Sequence, residues 1–520
     1  MKHFLLPCLA LFMLASQAKA FSFSAARGAG EDAVCDRGNL ATHKVASEFP
    51  FEGEWLYNVA VNGHYVGLYN DRNFWGGLVH FGSFEFTNGH EVSIDISYYQ
   101  NIDHFEVLPI ESLSLLEVKR TGKRSLRIRT DRADQNITLV VNGELQKHVL
   151  HLFCNSIDTR APEMEAAQKG YTKDEARKLH YFGPGYHNLE TLLGTGDDQL
   201  KLEDGWQVYV AAGSVVYGRI GMWETGGGTS IRGRGMVYND RRKPRVILEA
   251  NYCKGGLVEG VLFHCHRERC WQVALSHCTH MEFKHVKVLS TRYASTDGLD
   301  IINCQQCAFL NTFVRASDDA IAVKGLGNKK PEECAPCRNL TFCGMQLWND
   351  CNNAMGIGAE NHASLYENIR FMNSSILYSY DDPDYHEVLD ERAAMGICCI
   401  NGTWFRNISY ENIDVYHCER LITAGFQPSF WFGALPGDQS TPGGMEGIIY
   451  RNIRSFHSSG SAIANKIRLY GWDGRGGTPE KAISRVTFDN VVIAGQKVTH
   501  VNDPAFSESD FTRVSGITFQ

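Results

Sequence analysis

The chain has 520 residues, 43% of them hydrophobic and 21% charged, with a net charge of −8 at pH 7. That balance excludes a disordered or fibrous protein and leaves room for two or more packed domains. The acidic charge is spread out and no basic stripe interrupts it, so nucleic acid is not an expected partner.

At the start of the chain Lys2 and His3 precede an apolar run over residues 4–15, and Ala18-Lys19-Ala20 sets small residues two apart. This is the pattern of a cleaved signal peptide. Residues 1–20 are expected to be removed, leaving a mature chain that begins near Phe21 and is secreted, outside the cell or into a periplasm. No later apolar run approaches the roughly 20 residues of a membrane-spanning helix. Residues 21–160 form the next block. Within it, from about 51 to 155, short runs alternate apolar and polar residues, as at 93–98 and 137–141, and Gly and Asn turns break them. That alternation predicts an antiparallel β-sandwich. Residues 161–179 are rich in Ala, Glu, Lys and Arg at helical spacing, which predicts a helical linker over 161–180.

Residues 181–520 carry a repeat: eight residues with an aromatic at the third position and often Asn at the fifth. The aromatics are Phe283, Phe309, Phe342, Phe371, Tyr410, Tyr450 and Phe488, and the fifth positions include Asn311, Asn373, Asn412, Asn452 and Asn490. Successive copies start 26, 33, 29, 39, 40 and 38 residues apart. Such irregularity rules out a propeller and suits a parallel β-helix whose turns carry insertions of different length. The aromatic column is expected to fill the interior, and the Asn column to serve a left-handed turn.

Without Cys8 fifteen cysteines remain. The pairs Cys304/Cys307 and Cys334/Cys337 and the run Cys265, His266, Cys270, His277, Cys278, His280 are residue types zinc prefers, but the spacings match no closed site. The reading taken is disulfides and buried thiols in an oxidising compartment, with no metal and no cofactor. Asn-x-Ser/Thr sites stand at Asn136, Asn339, Asn373, Asn401 and Asn407.

The chemistry gathers between the first and third repeat copies. Ser295-Thr296-Asp297-Gly298-Leu299-Asp300 is followed by Ser317-Asp318-Asp319-Ala320-Ile321-Ala322-Val323-Lys324. An isolated Asp-Gly or Asp-Asp reads first as a turn former. Here Asp297 and Asp318 are 21 residues apart, about one coil, which stacks them at the same turn of adjacent coils. Crowded carboxylates raise one another's pKa, so one can stay protonated as an acid while others act as bases, the division of labour that glycoside cleavage needs.

The segment from Cys270-Trp271 through Asp297-Gly298-Leu299-Asp300 to Asp318-Asp319-Ala320-Ile321-Ala322-Val323-Lys324 resembles glycoside hydrolase family 28, the polygalacturonases, and its clan relative family 49, the dextranases. The resemblance implies a right-handed parallel β-helix and an inverting mechanism, with Asp318 as general acid and Asp297 with Asp319 activating water. A sandwich ahead of the helix is similar to family 49 more than to typical family 28. Two departures stand out. In place of the polygalacturonase Gly-His-Gly are Asn352, Asn353 and Ala354, ahead of Gly356-Ile357-Gly358-Ala359-Glu360. Near the expected uronate-binding Arg-Ile-Lys are Gly396-Ile397-Cys398-Cys399, while Lys466-Ile467-Arg468 lies too many coils away. A neutral glycan is therefore expected over galacturonan, with Lys324 or Arg292 as the other cations that could meet a uronate.

Substrate contacts are expected from Asp300, Lys324, Asn353, Glu360 and Trp348, with Trp404 and Trp431, in the insertion Phe430-Trp431-Phe432, as further stacking candidates. Two rivals remain: a β-helix lyase using calcium or a basic residue, and a non-catalytic carbohydrate-binding β-helix. The expected partner is a polysaccharide, and the expected state a monomer.

Overall fold

The alternation over residues 93–98 becomes strand Val92–Tyr98, which buries every second side chain. In the computed structural model it pairs antiparallel with Ser125–Thr130 and Tyr57–Val61 in a five-stranded sheet. A second, seven-stranded sheet faces it, and Leu56, Val59, Ile94, Ile96, Leu126, Leu139 and Leu152 fill the space between. The sandwich is not wholly antiparallel: His148–Ser156 runs parallel to Leu78–Phe86. The structure describes residues 29–164, 170–241, 246–290, 292–293, 295–327, 329–380, 392–428, 439–458 and 460–520. The signal segment 1–20 and Phe430-Trp431-Phe432 lie outside the described residues.

The linker is the first correction. Where a helix was expected, Tyr171–Asp174 and Leu179–Phe182 are strands of an antiparallel hairpin. Asp174 takes the backbone N–H of Arg177 and pairs with its guanidinium, and Lys178 adopts a positive φ of 49°. Over 171–180 a turn with its own side-chain acceptor thus replaces the helix, residues 165–169 of the expected span lying outside the described residues, and Leu179–Phe182 goes on to pair parallel with Gln207–Val210 in the first coil.

From there the chain winds as the expected parallel β-helix. Each early coil gives one strand to a ten-stranded sheet and two to a twenty-two-stranded sheet, and in later coils the two merge, as in Trp404–Cys418. The aromatic repeat is the register itself: Phe283↔Phe309↔Phe342↔Phe371↔Tyr410↔Tyr450↔Phe488 are Cα partners coil by coil. Their rings stack inside, 4.8 to 5.4 Å apart. Asn311, Asn373, Asn412, Asn452 and Asn490 all hold φ between 50° and 56°. Asn412, Asn452 and Asn490 each donate to the Asn one coil below at 2.8–2.9 Å. Gly344 (φ 70°) takes the Asn place in one coil, where a Cβ would meet Asn311 Oδ1 at 2.2 Å.

The expected disulfides are the second correction, because no disulfide is formed among the described residues. Cys253, Cys278, Cys304 and Cys337 sit inside as another column, fully buried. In-register coils hold such like side chains about 4.8 Å apart, beyond the 3.5–4.5 Å between Cβ atoms that a disulfide spans. They pack instead, with Cys278 Sγ donating to Ala250 O and Cys304 Sγ to Ile302 O. Among the described residues no helix is long and apolar enough to cross a membrane.

An apolar seam joins sandwich to helix: Phe49, Phe81, Val149 and Phe153 on one side meet Val215, Leu289, Phe313 and Trp348 on the other.

Candidate active site

Strand Leu299–Ile302 pairs in parallel with Ile321–Gly325, which pairs with Met355–Asn361. Extended two residues upstream, that register puts Asp297, Asp319 and Asn353 in one row. Gly298 N donates to Asp319 O at 2.9 Å and Ala320 N to Asn353 O at 2.8 Å. The sequence spacing suggested Asp297 over Asp318; it is Asp319 that shares the row, and Asp318 stands beside it next to Asn352. Gly298 is obligatory here, since a Cβ would meet Val314 Cγ1 at 2.4 Å and Ala320 O at 2.6 Å.

The three carboxylates converge, with one oxygen of each within 4.8 Å of the others. Asp297 and Asp319 are buried, whereas Asp318 is partly open to solvent. Asp318 accepts from Ser295 N at 2.5 Å, from Asn352 Nδ2 at 2.9 Å and from Asp319 N at 3.0 Å. Asp319 Oδ1 accepts from both the backbone N–H and the side-chain amide of Asn353, at 3.1 and 3.0 Å. Asn353 Oδ1 in turn accepts from Ala393 N. So Asn353 holds Asp319 in place.

Beneath the cluster lies one buried cation. Lys324 Nζ is 2.6 Å from Asp297 Oδ2 and 3.0 Å from Asp300 Oδ1, and it sits 4.7 Å from the centre of the Trp271 ring. Burial disfavours the ammonium, yet Asp297, Asp300, Glu360 and Asp319 outweigh that and hold its pKa well above the usual lysine value. Burial pushes the Asp300 carboxyl well up, with Asp297 adding to the effect. Asp319 is likewise raised well above the carboxylate range by burial and by Asp318, and Asp318 is raised by burial and Asp297. With more carboxylates than countercharge, the cluster binds protons more tightly than free carboxylates do.

The other expected contacts divide. Glu360 is half-buried on Met355–Asn361 and close enough for its charge to act on Lys324. Asp300 is fully buried behind Lys324, so it supports the cluster from below and does not face substrate. Trp348 is a correction: its ring is fully enclosed, stacks on Tyr378 at 4.8 Å, lies under the Arg315 guanidinium and donates to Asp350 Oδ1 at 3.0 Å. It belongs to the seam with the sandwich and offers no face to a sugar. Trp404, a further stacking candidate, is 37% exposed with Arg406 over its ring. Sequence reasoning passed over Asn352, Ser295 and Trp271 as site residues. The pair Asn352-Asn353 stands 34 residues after Asp318-Asp319, and that one-coil echo of adjacent amides on adjacent acids was a usable signal.

Residues 194–349 match the family model described as glycosyl hydrolases family 28, a span that includes all three aspartates. No curated protein sequence matches the chain. Among solved structures, Dex49A from Penicillium minioluteum superposes with a TM-score of 0.66 at 13% identity, covering 94% of this chain and 99% of that one. The likeness therefore runs through the N-terminal sheets as well as the helix. A family 28 exopolygalacturonase from Yersinia enterocolitica superposes more loosely, at a TM-score of 0.45 and 9% identity, covering 84% of this chain and 96% of that one. With all three aspartates inside the family 28 match and a β-helix fold shared with Dex49A around them, the chain resembles the glycoside hydrolases of the family 28 and family 49 β-helix type.

Proposed function

We propose that this protein is a secreted hydrolase that cleaves O-glycosidic bonds of a neutral polysaccharide with inversion. The observation that carries the reading is the cluster of three carboxylates around a single buried lysine. Asp318, the member partly open to solvent, donates its proton to the leaving oxygen. Burial and the neighbouring Asp297 raise the affinity of that carboxyl for a proton, as a general acid requires. Asp297, with its oxygen on the Lys324 ammonium, and Asp319, held by Asn353, take the proton of the attacking water.

The neutral substrate rests on the cations. Lys324 is buried against Asp297 and Asp300, and Arg292 is engaged with Glu52 at 2.7 Å and Asp71 at 3.1 Å. Neither is left to clamp a uronate carboxylate. Arg468 stands four coils beyond Ala322 in register, about 19 Å at the coil spacing.

Reducing-sugar release from a panel of neutral and uronic polysaccharides tests this, wild type against Asp318→Asn. Release from a neutral glycan that the variant loses is the expected result. Release from pectic chains alone would keep the mechanism and discard the substrate. Products absorbing in the ultraviolet would mean an eliminating lyase, and binding without products a lectin-like role. Proton NMR of the first product anomer tests inversion.

A further inference from the structure

The seam between sandwich and helix buries a second constellation. Asp71 comes from sandwich strand Leu68–Arg72, His264 from helix strand Leu262–Cys265, and His266 directly follows that strand. All three are fully buried. His264 Nε2 lies 3.3 Å from His266 Nδ1, and Asp71 Oδ2 lies 3.7 and 3.4 Å from those two nitrogens. The point equidistant from these atoms is about 2.0 Å from each, the length of a zinc–nitrogen or zinc–oxygen bond.

The surroundings suit a cation. Asp71 Oδ2 has no hydrogen-bond partner despite complete burial, while Oδ1 takes Arg72 N at 2.7 Å and Arg292 Nη2 at 3.1 Å. His264 Nδ1 donates to Leu289 O at 2.7 Å, which leaves Nε2 as an acceptor whose hydrogen-bond partner is His266 Nδ1. A backbone acceptor on the far ring nitrogen is how metal-bound imidazoles are usually oriented. The rings of Phe49 and Phe81 wall the site, 5.0 to 6.0 Å from the two imidazoles.

We propose that Asp71, His264 and His266 bind one zinc ion that clasps the sandwich to the β-helix. Imidazole with carboxylate is a donor set that zinc accepts. The clasp also steadies the active site. Leu289 holds His264 and Arg292 holds Asp71, and both precede Ser295, whose N–H grips Asp318.

The test is element analysis of protein produced in zinc-supplemented medium and desalted, together with its thermal midpoint. About one zinc per chain is expected, falling at least about ten-fold in Asp71→Asn and in His266→Gln. The other histidine cluster, Glu106 with His417 and His457, provides the control: His457→Ala keeps the zinc. Should the first two variants fail to fold, the wild type alone decides. Dialysis against a chelator should then lower its thermal midpoint by several degrees, and zinc but not magnesium should restore it. Wild type that carries no zinc and whose midpoint ignores added zinc overturns the proposal. So does zinc that leaves with His457→Ala and stays with Asp71→Asn.

Discussion

Two buried acidic groups lie one coil apart and are built on opposite principles. At Asp350 one carboxylate meets one guanidinium: Arg315 Nε and Nη2 reach its two oxygens at 3.0 Å each, Trp348 adds an N–H, and Arg315 Nη1 finds His151. Burial pushes the Asp350 carboxyl up and Arg315 down, and the bidentate pair opposes both shifts. Around Lys324, by contrast, Asp297, Asp300, Asp318 and Asp319 crowd a single ammonium. Matched charge settles a buried pair inside the β-helix, where Arg315 also meets His151 of the sandwich, whereas the unmatched cluster has carboxyls of raised proton affinity, the condition that acid–base chemistry needs.

The contrast is broken most sharply at the acid. Asp318→Asn should lower kcat by about 10²–10⁴-fold while the fold survives, because the amide oxygen can still accept from Asn352 and Asp319 N, at the loss of the Ser295 contact, but the amide cannot act as the acid. Initial rates and a thermal melt on one preparation decide it. A variant that melts early would make Asp318 structural.

At the matched pair the reverse is expected. Arg315→Met leaves Asp350 buried without its partner and should cost about 3–5 kcal/mol in denaturant unfolding, with near-normal activity per folded molecule. A double replacement, Arg315→Met with Asp350→Leu, should regain much of that loss. If it does not, the pair holds the seam by more than charge.

The aromatic repeat was legible because a parallel helix turns register into sequence spacing: the intervals between Phe283 and Phe488 are the coil lengths. The aspartates were legible for the same reason, although the offset of 22 put Asp319, not Asp318, in Asp297's row. What failed depended on contacts from far away. Trp348 reads as a platform until His151 and Tyr378 close over it. The cysteines read as disulfides until the coil spacing separates them. Asp71 carries no spacing that ties it to His264 or His266, since it arrives from the other domain.

A smaller effect sharpens the electrostatic half of the comparison. Asp319 has its pKa raised on folding, so its contribution to stability is complete below the unfolded carboxylate value near 4 and is lost as pH rises through the folded value. Asp319→Asn removes that loss while keeping an acceptor for Asn353. As pH rises above the unfolded carboxylate range, the variant should become more stable than wild type. The gap should close toward pH 4. A constant gap would assign the effect to packing.

The smallest expected effect lies where no charge is involved. Asn452 donates to Asn412 and accepts from Asn490 on the exposed edge, at a φ of 51°. Asn452→Gly keeps the backbone geometry and loses only the rung, for about 0.5–1 kcal/mol. Asn452→Ala loses the rung and also forces a Cβ into the left-handed region, for about 1–2 kcal/mol. Denaturant midpoints should therefore rank wild type, Gly, Ala. If Gly falls as far as Ala, the ladder's hydrogen bonds and not its backbone angle hold these turns, and the Asn column stabilises the late coils as the Arg315 pair stabilises the seam, by matching every donor to an acceptor.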